Sequence, residues 1–145
     1  MKQLRILLVD DEERLLSTTK KLFEKIGIEA HTATSGPEAL DLLTRQEVDV
    51  IFLDIKMPGM DGMETLQRIK KDYPLIEVII LTGHATMETA VEGLKLGALD
   101  YLIKPVSMKD FVRKAEEAFE KVSLQKQKIH SAQMAESPEG QGGLR

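Results

Sequence analysis

Short apolar segments alternate with amphipathic helical segments five times along this chain, and this alternation restricts the fold more than any other feature. Each apolar segment is too short for a helix and suits a strand of a parallel sheet. The predicted strands are 4–9, 28–33, 50–53, 76–81 and 99–103, and the predicted helices are 12–26, 36–45, 62–72, 87–96 and 108–122. The pattern predicts an α/β fold with a five-stranded parallel sheet, right-handed crossovers and five helices on both faces.

Residues that start and end helices stand at the predicted boundaries. The segment Ser35-Gly36-Pro37-Glu38 has the spacing of a capping box, and Asp61 with Glu64 has the same spacing. Gly27 and Gly97 each follow a predicted helix, where glycine commonly ends the helix. The strand at 28–33 alternates apolar and polar residues, which indicates an edge strand.

The composition indicates one soluble domain with a tail, since 42% of the 145 residues are hydrophobic and 30% are charged. We expect a domain over 1–122, then a helical extension and a disordered tail or linker over 123–145, with no output domain. The first strand begins so close to Met1 that we expect no signal peptide, and no apolar segment is long enough to cross a membrane.

Charge and cysteine content exclude further classes. The chain has no cysteine, which excludes disulfides and thiolate zinc sites and is compatible with the cytoplasm. Its net charge is −4 without a cluster of basic residues, so we expect no direct binding of nucleic acid.

Three aspartates stand where predicted strands end: Asp10 and Asp11 after the first strand, and Asp54 after the third. In the strand order 2-1-3-4-5 of a doubly wound, flavodoxin-like sheet, the first and third strands are neighbours, so these carboxylates converge at the ligand-binding edge. Thr82 and Lys104 follow the fourth and fifth strands at the same edge. Converging carboxylates repel each other, so either one keeps a proton or a divalent cation neutralises them, and oxygen-only ligands favour Mg²⁺.

Four segments carry a resemblance to a known family: Asp10-Asp11, Asp54 with the following MPGMDG, Thr82-Gly83, and DYLIKP over 100–105. In order and spacing over residues 4–122, the chain resembles the receiver domain of bacterial two-component response regulators. The resemblance implies that Asp54 accepts a phosphoryl group from the phosphohistidine of a sensor kinase or a phosphotransfer protein. Such a domain is a signalling phosphoacceptor, which catalyses only its own Mg²⁺-dependent phosphorylation and dephosphorylation.

The same resemblance implies the roles of the surrounding residues. Asp11 binds Mg²⁺ directly, Asp10 binds it largely through water, and Asp54 and the backbone carbonyl of Lys56 complete the protein ligands. Lys104, in a cis Lys104-Pro105 peptide, pairs with the phosphoryl oxygens. For the switch, Thr82 donates its hydroxyl to the phosphoryl group, and Tyr101 moves into the space that Thr82 leaves.

The output surface is also implied by the resemblance. It consists of the fourth helix, fifth strand and fifth helix, and it allows a homodimer or contact with a downstream protein target or a missing output domain. Lys56 and His84 flank the path of a hydrolysing water, and we expect them to slow loss of the phosphoryl group. The alternative for this pair is two exposed side chains at the rim.

Other functions fit these residues less well. Taken alone, Asp10 and Asp11 could simply cap the first helix, and Lys104 could be a solvated lysine. An aspartate-nucleophile phosphohydrolase needs a second acid two residues after the nucleophile, where this chain has Lys56. A flavodoxin-like cofactor protein needs a phosphate-binding loop where this chain has four acids over 10–13. A pseudo-receiver that binds proteins without phosphorylation stays an alternative.

Overall fold

The predicted five-stranded parallel sheet is confirmed, with the strand order β2-β1-β3-β4-β5. The computed structural model describes residues 3–56, 62–83 and 87–135. The strands are β1 Arg5–Val9, β2 Glu29–Ala33, β3 Val50–Asp54, β4 Glu77–Thr82 and β5 Asp100–Ile103. The helices are α1 Glu13–Lys25, α2 Gly36–Leu43, α3 Gly62–Asp72, α4 Met87–Lys95 and α5 Met108–Ala135.

Each face of the sheet carries its own apolar core. Alternate strand residues point to opposite faces, so Leu7 and Ile51 lie in one core while Leu8 and Phe52 lie in the other. Helices α2 and α3 cover the first face, and α1 and α5 cover the second. The second core contains a cluster of aromatic rings from Phe23, Phe52 and Phe111, with centroids 5.1 to 6.4 Å apart. This packing holds α1 and α5 firmly on the sheet.

Strand burial agrees with position in the sheet. All residues of β3 and β4 are buried, as expected of central strands between two helical layers. In β2 only Ala30 and Ala33 are buried, and in β5 none of the four residues is fully buried. The predicted edge position of the 28–33 strand is therefore confirmed, and β5 forms the other edge.

Helix boundaries follow the predicted capping residues where the structure describes them. The Ser35 hydroxyl accepts a hydrogen bond from the Glu38 backbone N–H at 3.2 Å. The Glu38 carboxylate turns back to Thr34, whose backbone N–H and hydroxyl both donate to it. Gly27 and Gly97 have φ values of 87° and 108°, the left-handed conformation that ends helices. Asp61 lies outside the described residues.

Gly62 starts α3 where the chain passes very close to the end of β3. A β-carbon at this position would lie 2.3 Å from the Ile55 α-carbon, which is backbone and cannot move aside. The absence of a side chain therefore lets α3 begin directly against the segment that follows Asp54.

Helix α5 is 28 residues long and continues past the packed part of the domain. Its buried residues are Phe111, Ala115, Ala118 and Val122. From Leu124 to Ala135 every residue is exposed, so this part of the predicted helical extension projects from the domain as a single helix. No described helix combines the length and apolar character needed to span a bilayer.

Candidate functional site

The three predicted aspartates converge at the carboxyl edge of the sheet. Strands β1 and β3 are hydrogen-bonded neighbours with Val9 beside Leu53, so the residues after them meet. One carboxylate oxygen from each of Asp10, Asp11 and Asp54 lies within 4.8 Å of the other two. Asp10 and Asp54 are buried, with 1% and 5% of their surface exposed, and Asp11 is exposed to solvent. The cluster therefore has two fixed carboxylates and one that faces the outside.

Lys104 places its ammonium group between the buried carboxylates. Its Nζ lies 2.6 Å from Asp10 Oδ2 and 3.3 Å from Asp54 Oδ2. Burial lowers the pKa of Lys104, but the Asp10 and Asp54 carboxylates outweigh burial and hold the pKa above its ordinary value. The lysine is therefore charged at neutral pH and partly neutralises the cluster.

Glu12 joins this cluster, a position that its sequence context does not predict. Its Oε1 lies 3.3 Å from Lys104 Nζ, at the exposed side of the ammonium group. The signal in the sequence was the run of four acids over 10–13, which we interpreted as a region that repels phosphate. Its contact with Lys104, the residue that follows β5, depends on the tertiary fold.

The Asp54 carboxyl has a raised pKa. Burial is the main cause, and the neighbouring Asp10 carboxylate adds to it. The Lys56 backbone N–H, which donates to Asp54 Oδ1 at 3.0 Å, and the Lys104 ammonium both act in the opposite direction. Asp54 thus carries a destabilised negative charge, held in one orientation by the backbone that follows it.

The donor set fits a hard divalent cation. Asp10 Oδ1 accepts a hydrogen bond from the Glu12 backbone N–H at 3.0 Å. Asp10 Oδ2 is buried and forms the 2.6 Å ion pair with the Lys104 ammonium group. A carboxylate oxygen has two lone pairs, so this oxygen can accept a cation besides the lysine, and two further carboxylates lie close by. Converging carboxylate oxygens of this kind are the ligands that Mg²⁺ takes in proteins.

The other predicted residues lie around this cluster. Thr82 ends β4 and is 3% exposed, and Tyr101 on β5 is 36% exposed. Ile80 lies beside Tyr101 and Thr82 lies beside Ile103, so Thr82 and Tyr101 share one face of the sheet. The Lys104-Pro105 peptide is cis, as the resemblance implied.

Lys56 and His84 are the two residues expected at the rim of the site. Lys56 is exposed next to Asp54, and its backbone N–H orients the Asp54 carboxylate. His84, the other residue expected at the rim, lies outside the described residues, as does 57–61 from the MPGMDG motif. The structure therefore places Lys56 at the site by its backbone contact.

The fold and this edge together define a doubly wound domain with an acidic cluster and a lysine at the topological switch point. A family model for the response regulator receiver domain matches residues 6–116. The chain belongs to the response regulator receiver domain family. Receiver domains are signalling domains rather than classical enzymes.

Relatives and solved structures agree with this assignment. The alginate biosynthesis transcriptional regulatory protein AlgB of Pseudomonas aeruginosa is 42% identical over 106 residues, which is 73% of this chain and 24% of AlgB. The regulatory protein AtoC of Escherichia coli is 37% identical over 126 residues, which is 87% of this chain and 27% of AtoC. A CheY-like receiver domain protein from Methanospirillum hungatei aligns with a TM-score of 0.81 and 33% identity, covering 86% of this chain and 99% of that structure. The chain thus spans about a quarter of the length of these curated relatives.

Proposed function

We propose that this domain accepts a phosphoryl group on Asp54 from the phosphohistidine of a sensor kinase or a phosphotransfer protein. The observation that carries the proposal is the convergence of Asp10, Asp11 and Asp54 around the ammonium group of Lys104. A carboxylate is an adequate nucleophile for a phosphoryl group when the surrounding charge is neutralised. The pKa of Asp54 is raised first by burial and then by the Asp10 carboxylate, and a bound cation would offset both effects by stabilising the negative charge.

Asp10, Asp11, Asp54 and the backbone carbonyl of Lys56 would hold Mg²⁺. When bound, Mg²⁺ supplies positive charge that lets two anionic oxygens approach each other. The position of Asp10 Oδ2 supports this assignment, because this buried oxygen faces the cluster and has a second lone pair besides the one that Lys104 engages. Asp11, which is exposed, is the ligand that an entering cation meets first.

The transfer step moves the phosphoryl group between two nucleophiles. An Asp54 carboxylate oxygen forms the new O–P bond while the P–N bond to the donor histidine breaks, and its electron pair stays on the imidazole nitrogen. The Lys56 N–H fixes Asp54 Oδ1, which leaves Oδ2 on the side of Lys104 as the attacking oxygen. Lys104 then follows the phosphoryl oxygens as a compact cation on a flexible stem.

We place the switch in Thr82 and Tyr101. Thr82 stands at the end of β4, one strand from Asp54, and the half-exposed Tyr101 ring lies on the same sheet face. A hydroxyl donated from Thr82 to the phosphoryl group would draw the loop after β4 toward Asp54. The Tyr101 ring would then turn inward, which changes the surface of β5.

The output surface would be the face of α4, β5 and α5. Met87, Val91, Leu94 and Ile103 are large apolar residues exposed on this face, by 40% to 81%. Such exposure suits contact with a second copy or with a downstream protein. AlgB and AtoC are regulatory proteins roughly three times as long as this chain, so the output would be a further domain or a separate protein in the cytoplasm.

Intact mass after incubation with acetyl phosphate tests the proposal. We expect one phosphoryl adduct that requires Mg²⁺ and is absent from Asp54→Asn. Asp72→Asn is the matched control, because Asp72 ends α3 and is exposed outside the acidic cluster. No adduct in the wild type with Mg²⁺ would contradict the proposal and favour a pseudo-receiver that binds proteins without phosphorylation.

A further inference from the structure

The exposed end of helix α5 passes two buried carboxylates at the edge of the sheet opposite to the acidic cluster. Lys121 Nζ lies 4.0 Å from Glu77 Oε2, and Lys126 Nζ lies 3.8 Å from Asp49 Oδ1. Asp49 and Glu77 are 2% and 7% exposed, respectively. Both lysines are about half exposed, so their contacts with the acids span the boundary between the domain and the solvent.

Asp49 is a rigid anchor. Arg5 donates to it from its backbone N–H at 2.9 Å, from Nε at 3.1 Å and from Nη2 at 3.2 Å. Glu77 is held beside it, because the Glu77 backbone N–H donates to the Asp49 carbonyl at 3.1 Å. An ion pair to a fixed carboxylate loses side-chain entropy on the lysine side alone, which favours the pair over an ordinary surface pair.

The extension of α5 depends on contacts with the domain for its stability, because its own sequence stabilises a helix only weakly. From Leu124 onward no described residue of α5 is buried, and a helical segment of this length is marginally stable in water by itself. The apolar residues Leu124, Ile129 and Met134 recur every five positions, which distributes them around the helix. Packing against the domain therefore does not explain its direction.

We propose that Lys126, supported by Lys121, tethers the extension of α5 to Asp49 and Glu77 and so fixes the direction in which the helix leaves the domain. Any segment that continues α5 would then be held at a set angle to the sheet. The tether is electrostatic, so salt weakens it. It acts at the edge opposite to Asp54 and does not depend on phosphorylation.

Hydrogen–deuterium exchange of residues 124–135 tests the tether in the full chain. We expect Lys126→Gln to speed amide exchange in this segment by about two- to fivefold at low salt, the range of one ion pair. Lysine and glutamine have similar helix propensities, so the substitution does not itself weaken the helix. Lys126→Arg should exchange like the wild type because it keeps the charge.

Lys128→Gln is the matched control. Lys128 is exposed on the opposite side of the same helix and forms no ion pair with any residue that the structure describes. Lys128 lies nearer the carboxyl end of the helix than Lys126. Loss of a favourable charge at the helix dipole would therefore speed exchange in Lys128→Gln at least as much as in Lys126→Gln. Equal exchange in Lys126→Gln and Lys128→Gln would overturn the tether, as would an unchanged rate in Lys126→Gln.

Salt separates charge from packing. In about 1 M NaCl the screening length falls to roughly 3 Å, and the wild type should exchange as fast as Lys126→Gln. A difference between the two that persists in high salt would also overturn the proposal, because it would point to contacts of the lysine stem.

Discussion

The ammonium group of Lys104 lies 2.6 Å from Asp10, closer than its 3.3 Å approach to Asp54. Lys104, which follows the edge strand β5, thus neutralises the carboxylate that follows β1 as well as the proposed phosphoacceptor. A cation that enters the cluster has to share these oxygens with the lysine.

Replacing Lys104 with methionine should therefore strengthen binding of Mg²⁺. The variant removes a positive charge that competes for Asp10 and Asp54, and a screened charge at this distance contributes on the order of 1 kcal/mol, or about fivefold in Kd. Isothermal titration calorimetry with MgCl₂ measures the effect. Lys71→Met, an exposed lysine on α3, should leave the Kd unchanged, and weaker binding by the Lys104 variant would contradict the competition.

Removing the charge of Asp54 should stabilise the protein when no divalent cation is present. The pKa of Asp54 is higher in the folded than in the unfolded state. The contribution of Asp54 to the free energy of unfolding is therefore fully present below the unfolded pKa and is lost as pH rises through the folded pKa. At neutral pH the ionised carboxylate is thus unfavourable in the fold. Asp54→Asn should gain about 1 kcal/mol in the free energy of unfolding, measured by urea denaturation in EDTA at pH 7.

Magnesium provides the check on that gain. Because Mg²⁺ should bind the wild type more tightly than Asp54→Asn, excess Mg²⁺ should narrow or reverse the difference in stability. A gain that is the same with and without Mg²⁺ would show that the negative charge of Asp54 is not its cause.

The start of α2 should weaken in acid. The Thr34 backbone N–H lowers the pKa of Glu38, so the stabilisation from this contact is present above the unfolded pKa and is lost as pH falls through the lowered folded pKa. Glu38→Gln should cost roughly 0.5 kcal/mol at pH 7, a modest value because the side chain is exposed to solvent. The cost should shrink toward zero as the pH falls below the ordinary glutamate range.

Urea denaturation between pH 3 and pH 7 follows this change. Glu120→Gln is the control, an exposed glutamate on α5 without an ion pair among the described residues. If Glu38→Gln and Glu120→Gln had the same pH dependence, the Thr34 contact would not contribute to stability.

A methyl group at Gly62 should be severely destabilising. Its β-carbon would meet the Ile55 backbone at 2.3 Å, and overpacking of this kind costs about 3 kcal/mol or more. Gly83→Ala is the control, because a β-carbon there would meet no atom within 4 Å. Thermal unfolding by circular dichroism distinguishes them, and similar melting temperatures would contradict the close approach at Gly62.

The sequence predicted the fold because its signals are local. The strands marked by apolar runs and the helix ends marked by glycines such as Gly27 depend only on neighbouring residues. The capping pair Ser35 and Glu38 is a local signal of the same kind, and it was also predicted. The turn of the Glu38 carboxylate back to Thr34 could not be predicted, because it depends on the direction from which β2 enters the helix. The sequence also carried only a weak signal for the exposed part of α5. Hydrophobic periodicity marks the buried face of a helix, and it disappears after Val122, where no described residue is buried.

The sequence predicted which residues lie at the candidate site, but it did not predict most of the contacts between their side chains. Strand ends place Asp10, Asp54 and Lys104 at one edge in any sheet of this order. The preference of Lys104 for Asp10 and its contact with Glu12 depend on side-chain positions across the fold. No sequence pattern indicates that Lys126 reaches Asp49, because Lys126 lies on α5 and Asp49 lies just before β3, far away along the chain.

The contact between Glu12 and Lys104 joins residues 92 positions apart, so the acidic cluster gains its lysine from almost the last part of the domain to be made. A ribosome releases the chain from its amino end, and β1 and β3 emerge well before β5. Until then the aspartates have no positive partner from Lys104. A fragment from interrupted translation that ends before Lys104 therefore has the carboxylates of the cluster without their ammonium partner.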